Sequence, residues 1–391
     1  MLKGQPDDEA RVDCTVLVPV FNEERYIEQS VAAMRRQRFD GSIEFVFADG
    51  GSTDRTRSIL GRLSREDPRI RVFDNPRRSV SSGLNVALAH ARGDWVVRMD
   101  AHTEYPEDYI ALGVARLRAG GTRWVSGPPV PVGHGLVSRA VALALTSWLG
   151  RGGSRKWGTD SRATDGHGEE YELDSGVFAG VWERDTLLEY GGWDEAWPTN
   201  EDSEMAGRFL ARGERLVCLP AMGAEYVPRN SLLRLGRQYF GYGEYRVKTA
   251  ERHPETLRRS HLLAPAVVLG AAAAVLGPWP LRTAARGAMT AYGLALGLAA
   301  VSVLESAERP ADAAVVPGVL ATMHFGNGSG LIVGVMRHGL PRAALMSVLG
   351  LRSGAGHPTH SREAVYAPSL TETSFRPPRA CRPAADAATA P

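Results

Sequence analysis

Cysteine is scarce in this chain. Cys14, Cys218 and Cys381 stand far apart and form no Cys-x-x-Cys pair. That excludes a disulfide framework or a cysteine-ligated zinc site and fits a reducing compartment. Net charge is nearly absent as well, at +2 over 391 residues. The bulk electrostatics of a nucleic-acid binder are therefore missing, and no nucleic-acid partner is expected. Met1 to Arg11 is polar and lacks the apolar centre of a signal peptide, so we expect the first domain to stay in the cytoplasm. The first apolar run is followed by neither a Gly-x-x-x-x-Gly-Lys-Ser/Thr loop nor a Gly-x-Gly-x-x-Gly turn. That speaks against a P-loop NTPase and a dinucleotide-binding Rossmann domain.

What the chain does have is alternation. Thr15 to Val20 is β-branched and apolar and reads as a buried strand. A helix is expected from about Arg25 to Arg36, with Ile27, Val31 and Met34 at helical spacing. Ile43 to Ala48 is a second strand. Its glycine-rich exit, Asp49-Gly50-Gly51-Ser52-Thr53-Asp54, leads into another helix. Ile70 to Phe73 is a third strand, and Ser81-Ser82-Gly83-Leu84-Asn85 opens a third helix. Trp95-Val96-Val97 is a fourth strand that delivers Arg98-Met99-Asp100-Ala101-His102. This βαβ spacing predicts an α/β domain with a mainly parallel sheet and right-handed crossovers.

In such sheets ligands bind beyond the carboxyl ends of the strands. Loop Pro19 to Glu23, Asp49 and Asp100 share that rim. Asp100 and His102 turn the same way along an extended chain, a two-point grip on Mg²⁺ or Mn²⁺ that phosphate oxygens would complete. Read alone, the same residues are also a strand-end Asp capping a turn beside a surface His. A ring (Phe21), an acceptor (Asp49) and a cation site on one rim suit a nucleotide diphosphate.

Three stretches in order, Val18-Pro19-Val20-Phe21-Asn22-Glu23, Ala48-Asp49-Gly50-Gly51-Ser52-Thr53-Asp54 and Arg98-Met99-Asp100-Ala101-His102, resemble the signatures of family 2 glycosyltransferases. The Asp-Ala-His form is most similar to the succinoglycan-type bacterial exopolysaccharide enzymes. The likeness covers roughly residues 12–240. It implies a GT-A fold, a Rossmann-like nucleotide-diphospho-sugar transferase domain, and inverting transfer. Two departures stand out: one acid where many relatives have Asp-Asp-Gly-Ser, and Asp100-Ala101-His102 in place of Asp-x-Asp.

Carried onto this chain, the resemblance assigns the donor to Pro19, Phe21, Glu23 and Asp49, and further to Gly83, Asn85, Arg98 and Asp100. It assigns the metal to Asp100 and His102. Asn200-Glu201-Asp202 reads locally as a capped helix start with acids in its first turn. Set beside the family's Glu-Asp signature, Asp202 becomes the general base and Glu201 its orienting neighbour. Gly191-Gly192-Trp193-Asp194-Glu195 resembles an acceptor-side segment. Gln238, Tyr239 and Tyr242 look like a reduced Gln-x-x-Arg-Trp segment, with Gly241 where that pattern has Arg and Tyr242 where it has Trp. That favours single-sugar transfer over processive synthesis. The aromatic cluster also suits an interfacial helix with its rings at headgroup depth.

After His261 come three weakly charged runs, Leu262 to Pro280, Gly287 to Leu304 and Ala313 to Met336. They read as C-terminal transmembrane helices, or as a buried hairpin of a soluble domain. Arg258, Arg259 and His261 suit a cytoplasmic flank. Arg282, Arg286, Arg337 and Arg342 cannot all join them inside with three full spans. The expected division is a polar tail (1–11), the GT-A domain (12–230), an amphipathic segment (231–261), membrane helices (262–338) and a disordered tail (352–391). Arg151 to Glu170 reads as a mobile loop beside the site or as a plain surface insertion.

The expected activity is thus transfer of one sugar from a nucleotide-sugar donor, first a UDP-sugar, to a lipid-linked saccharide acceptor at the cell's inner membrane. Other polysaccharide-assembly proteins are candidate partners. The rivals are a processive polysaccharide synthase and a non-catalytic nucleotide-sugar scaffold. Retention of Asp49, Asp100 and Asp202 counts against the scaffold.

Overall fold

The computed structural model describes residues 11–157 and 168–351. The predicted 1–11 and 352–391 tails lie outside it but for Arg11, as does the middle of the predicted Arg151 to Glu170 loop. The main sheet has eight strands. Its first half is β3 (Ile70–Asp74), β2 (Ile43–Asp49), β1 (Cys14–Val20) and β4 (Trp95–Arg98), in that order and all parallel. The second half continues with β9 (Gly180–Glu183), β6 (Trp124–Ser126), β10 (Leu216–Cys218) and β8 (Tyr171–Leu173). Here only β6 and β10 run parallel to each other, while β9 is antiparallel to both β4 and β6. A three-stranded sheet of β5 (Thr103–Glu104), β11 (Ala224–Tyr226) and β7 (Pro129–Pro131) lies beyond Asp100.

The central strands read as continuous apolar runs because both faces are covered. On one side Val16, Val18, Phe45, Phe47 and Val97 pack with α1 (Ile27–Arg35), α2 (Thr56–Glu66) and α4 (Tyr109–Arg118). On the other, Leu17, Val46 and Val96 pack with α3 (Val80–Ala89), α7 (Arg184–Glu189) and α8 (Glu201–Ala211). The rim loops are stitched together. Gly50 N–H donates to Val20 O (2.8 Å), Asn75 N–H to Asp49 O (2.7 Å) and Thr53 N–H to Asn22 Oδ1 (2.8 Å). These bonds hold the loops at the strand ends to one another.

The remaining helices are α5 (Leu136–Thr146), α6 (Trp148–Arg151), α9 (Leu232–Arg252), α10 (Leu263–Leu276), α11 (Trp279–Ser302), α12 (Pro310–His338) and α13 (Arg342–Val348). Three helices, spanning Arg259–Leu276, Trp279–Ser302 and Pro310–His338, are long and apolar enough to cross a membrane. Large apolar side chains on α11, such as Leu294, Leu298 and Val301, face outward, as a lipid-facing helix requires. Asp312 at the start of α12 is buried and takes both ends of the Arg139 guanidinium fork from α5 at 2.9 Å. Paired this way, a charge near a span becomes tolerable.

His261 is not a packing boundary. α12 lies along α9 with glycines at the contact. A Cβ on Gly243 would meet Asn327 O at 2.1 Å, and one on Gly330 would meet Phe240 O at 2.0 Å. Gly326, Gly330 and Gly334 repeat every fourth residue, the small-residue spacing that lets helices approach closely in lipid. Gly330→Val therefore forces the two backbones apart, since the obstructing atom is main chain. We expect a cost of about 1–3 kcal/mol, read as a lower Tm in detergent. An unchanged Tm would mean that α9 and α12 do not meet there.

Candidate active site

Arg98 is the hub, although it was expected only as a donor contact. It ends β4, is 3% exposed, and its guanidinium spans two carboxylates. Nε and Nη2 donate to the two oxygens of Asp100 (3.0 and 3.3 Å), and Nη1 donates to Glu201 Oε1 (3.0 Å). Burial alone would lower its pKa, but Asp100 and Glu201 outweigh that and hold it above the ordinary range. Burial and the neighbouring Asp202 charge push the Glu201 carboxyl up, against the pull of Arg98. Arg98 thus spends its charge inside the protein and joins the end of β4 to the start of α8.

Asn200 stands at the N-cap of α8, as the sequence suggests, but its side chain does not cap. It sits at φ 61° and its Nδ2 donates to Tyr242 O on α9 (3.0 Å). A left-handed non-glycine residue held by a second helix is strain tolerated at a site. Asp202 lies on the wall of a cavity of about 1060 Å³, shared with Arg98, Asp100, His102, Glu201 and Tyr242. Asp202 Oδ1 accepts from Ser203 N (2.8 Å), which orients the carboxylate. Burial, with the Asp202 charge, pushes the Tyr242 hydroxyl up to about 12. That hydroxyl therefore stays protonated at neutral pH. It accepts from Gln238 Nε2 (2.8 Å), and Tyr239 meets the Tyr242 ring edge-on at 5.5 Å between centroids.

His102 is 40% exposed in its side chain, and its Nδ1 lies 3.2 Å from Glu23 Oε1. Burial lowers its pKa, but the Glu23 contact and the Asp100 charge raise it more. Among the described residues no three His, Cys, Asp or Glu side chains come together as a metal cage. Asp100, 17% exposed in its side chain, and His102 supply one carboxylate and one imidazole. Both Asp100 oxygens already accept from Arg98 and His102 Nδ1 faces Glu23, so a cation here would share Asp100 with the guanidinium and take most of its shell from a bound diphosphate.

Other expected donor residues fall differently. Phe21 is 47% exposed on the rim, open to a base. Asp49 is buried and already engaged: Ser52 N and Oγ donate to Oδ1 (3.1 and 2.6 Å), and Arg57 Nη1 to Oδ2 (3.2 Å). It shapes the loop rather than offering a free carboxylate. Pro19 and Gly83 touch each other: a Cβ on Gly83 would lie 3.2 Å from Pro19 Cβ. Gly83 is buried, which lets α3 pack closely on β1, while Pro19 stays half-buried on the rim. Asn85 donates to Trp193 O (2.8 Å) and accepts from Trp193 N (2.9 Å). Trp193 itself is 2% exposed and packs edge-on against Trp182. As an acceptor contact it is therefore replaced: its indole is core, because the Asn85 clamp turns it inward.

Sequence reading missed Lys156, Arg229, Arg246 and Arg258, which also line the cavity. Arg246 follows Gln238 and Tyr242 at four-residue steps on α9, a signal that was available. The others converge only through the fold.

The signature of glycosyl transferase family 2 matches residues 15–164. The succinoglycan biosynthesis protein ExoA of Rhizobium meliloti (strain 1021) is 35% identical over 250 residues, covering 63% of this chain and 73% of that protein. A dolichyl N-acetyl-alpha-D-glucosaminyl phosphate 3-beta-D-2,3-diacetamido-2,3-dideoxy-beta-D-glucuronosyltransferase of Methanococcus voltae is 21% identical over 241 residues, 59% of this chain and 71% of its own. Among solved structures, the mannosyltransferase PcManGT of Pyrobaculum calidifontis, in complex with GDP-Man and Mn²⁺, is similar in fold. Its TM-score is 0.51 at 24% identity, over 83% of this chain and 89% of that one. With strand-end motifs on one rim of a GT-A-like sheet, three apolar C-terminal helices and this relation to an exopolysaccharide biosynthesis protein, the chain belongs to glycosyl transferase family 2.

Proposed function

We propose that this chain is an inverting transferase that moves one sugar from a nucleotide-diphospho-sugar to a membrane-held acceptor. A UDP-sugar is the first candidate donor, and a polyprenyl-diphosphate-linked saccharide the first candidate acceptor. The observation that carries this reading is one cavity bearing Asp202 and the Asp100–His102 pair, with residues of α10 and α12 in its wall. Asp202 takes the proton of the acceptor hydroxyl as that oxygen bonds to the anomeric carbon. The bond from that carbon to the diphosphate oxygen breaks on the opposite face, so configuration inverts. Glu201, locked to Arg98, steadies the helix turn that carries Asp202. Asp100 and His102 would hold Mg²⁺ or Mn²⁺, which offsets charge on the departing diphosphate. Gly241 and Tyr242 support single transfer rather than processive synthesis.

In this reading the GT-A domain faces the cytoplasm, the apolar helices lie in the inner membrane, and the product feeds exopolysaccharide or another envelope glycan. Screening UDP-, GDP- and dTDP-sugars for hydrolysis by detergent-purified protein with Mn²⁺ or Mg²⁺ tests it. Metal-dependent release of one nucleoside diphosphate is expected. Neither release nor binding of any donor would move the assignment to a non-catalytic scaffold. EDTA is expected to abolish donor binding. Asp100→Ala should raise the donor Kd by more than the roughly 10-fold typical of disturbing a metal ligand's support. Calorimetry showing unchanged affinity with Mn²⁺ would remove Asp100 from the cation site.

A further inference from the structure

A donor diphosphate does not account for the cavity's charge. Besides Arg98, seven Lys and Arg side chains line it, against three carboxylates, among the described residues. Four of the seven can be placed by the charges that they share. Arg229 acts on His102 and also on Tyr242, which feels Asp202 more strongly. The Asp202 charge acts on Lys156 and Arg246, and both feel Arg258. Lys156, Arg246 and Arg258 line one cavity with Asp202 and lie close enough to feel one another's charge.

Arg246 has no hydrogen-bond or ion-pair partner among the described residues. Burial, together with the Arg258 charge, lowers its pKa despite the opposing pull of Asp202. Arg258 Nη2 donates to Asp174 Oδ1 (2.5 Å) and Ser175 Oγ (3.2 Å), while its Nε and Nη1 have no acceptor among the described residues. His261 Nδ1 accepts from the Arg258 backbone N–H (3.1 Å). That leaves the neutral ring's proton on Nε2, a donor beside the two guanidinium groups. Arg246 is thus a half-buried cation with no direct partner among the described residues, and an anion in the cavity would supply one.

The wall beside this group is membrane helix. Leu263 and Ala264 of α10 and Met323 and Asn327 of α12 line the same cavity. A ligand matched to both surfaces is an amphiphile with a phosphorylated head. We infer that Lys156, Arg246, Arg258 and His261 form a second anion subsite, which holds the phosphate or diphosphate of a lipid-borne acceptor beside Asp202. This rests on the transferase reading above and names the residues that grip its acceptor.

Full-length protein in detergent with EDTA, which suppresses cation-dependent donor binding, is titrated with farnesyl diphosphate, farnesol, inorganic pyrophosphate and phosphatidylglycerol. Farnesyl diphosphate should bind at least 10-fold tighter than farnesol or phosphatidylglycerol. Arg246→Gln and Arg258→Gln should each weaken it 10-fold or more, with Arg246→Lys partly restoring affinity. In both Gln variants, binding of UDP, GDP or dTDP with Mn²⁺ should stay within twofold of wild type. That arm also reports that the variants are folded. Unchanged farnesyl diphosphate affinity in Arg246→Gln overturns the subsite. So does an equal loss of nucleotide affinity, which would give the group to the donor. Phosphatidylglycerol binding as tightly as farnesyl diphosphate overturns the acceptor assignment in favour of bilayer headgroups. Absence of sugar-donor hydrolysis, by contrast, tells against the transferase reading and leaves the binding result standing.

Discussion

Asp202→Asn is expected to lower turnover by on the order of 10²-fold or more, the scale of a missing general base. The change is nearly isosteric. The Asn side-chain oxygen can still accept from Ser203 N, so the first turn of α8 keeps its geometry. What is lost is the basic lone pair facing the cavity. Donor binding, measured by calorimetry with Mn²⁺, should therefore be unchanged while kcat falls. Near-normal turnover would take Asp202 out of the role. Loss of donor binding instead would mean that its charge serves the nucleotide and not the acceptor.

Arg98→Met should be the most destabilising of these substitutions. The Asp100 and Glu201 side chains are 17% and 10% exposed, so neither can regain full hydration when the guanidinium goes. Removing one member of a buried ionic group costs about 3–5 kcal/mol, chiefly through the charges left behind. Thermal unfolding in detergent should show a markedly lower Tm. Arg98→Met combined with Glu201→Gln should recover part of the loss, because one stranded charge is gone. Arg98→Lys should fall between, since a single ammonium cannot reproduce a fork that reaches three oxygens. A Tm equal to wild type in Arg98→Met would show that the bridge between β4 and α8 does not hold the site together.

Much of this site can be read from the chain because its parts sit at strand ends. Asp49 leaves β2 and Asp100 leaves β4, and alternation of strand and helix puts both on one rim. The helix start at Asn200-Glu201-Asp202 is legible too, from its N-cap residue and the acids of its first turn. Resemblance does not show which side chains are already engaged within the fold. Asp49 was expected to meet the nucleotide, yet its oxygens are taken by Ser52 and Arg57. Trp193 was expected at the acceptor, yet its indole is core. Neither burial can be seen from neighbours in sequence, because the residues responsible lie elsewhere: Asn85 is 108 positions from Trp193.

The sequence alone determined the alternating α/β domain, the rim on which its motifs gather, and the three runs able to cross a bilayer. Those properties follow from local hydrophobic periodicity and from run length, which need no knowledge of distant partners. Only the tertiary structure decided that Arg98 bridges Asp100 to Glu201 across 103 positions, and that α9 lies against α12 through glycines. It alone brought Lys156, Arg246, Arg258 and His261 into one cavity with Asp202. Each of these is a matter of which charge or face meets which across the fold. Close packing and the cost of an unpaired buried charge decide such matters once the whole chain is in place.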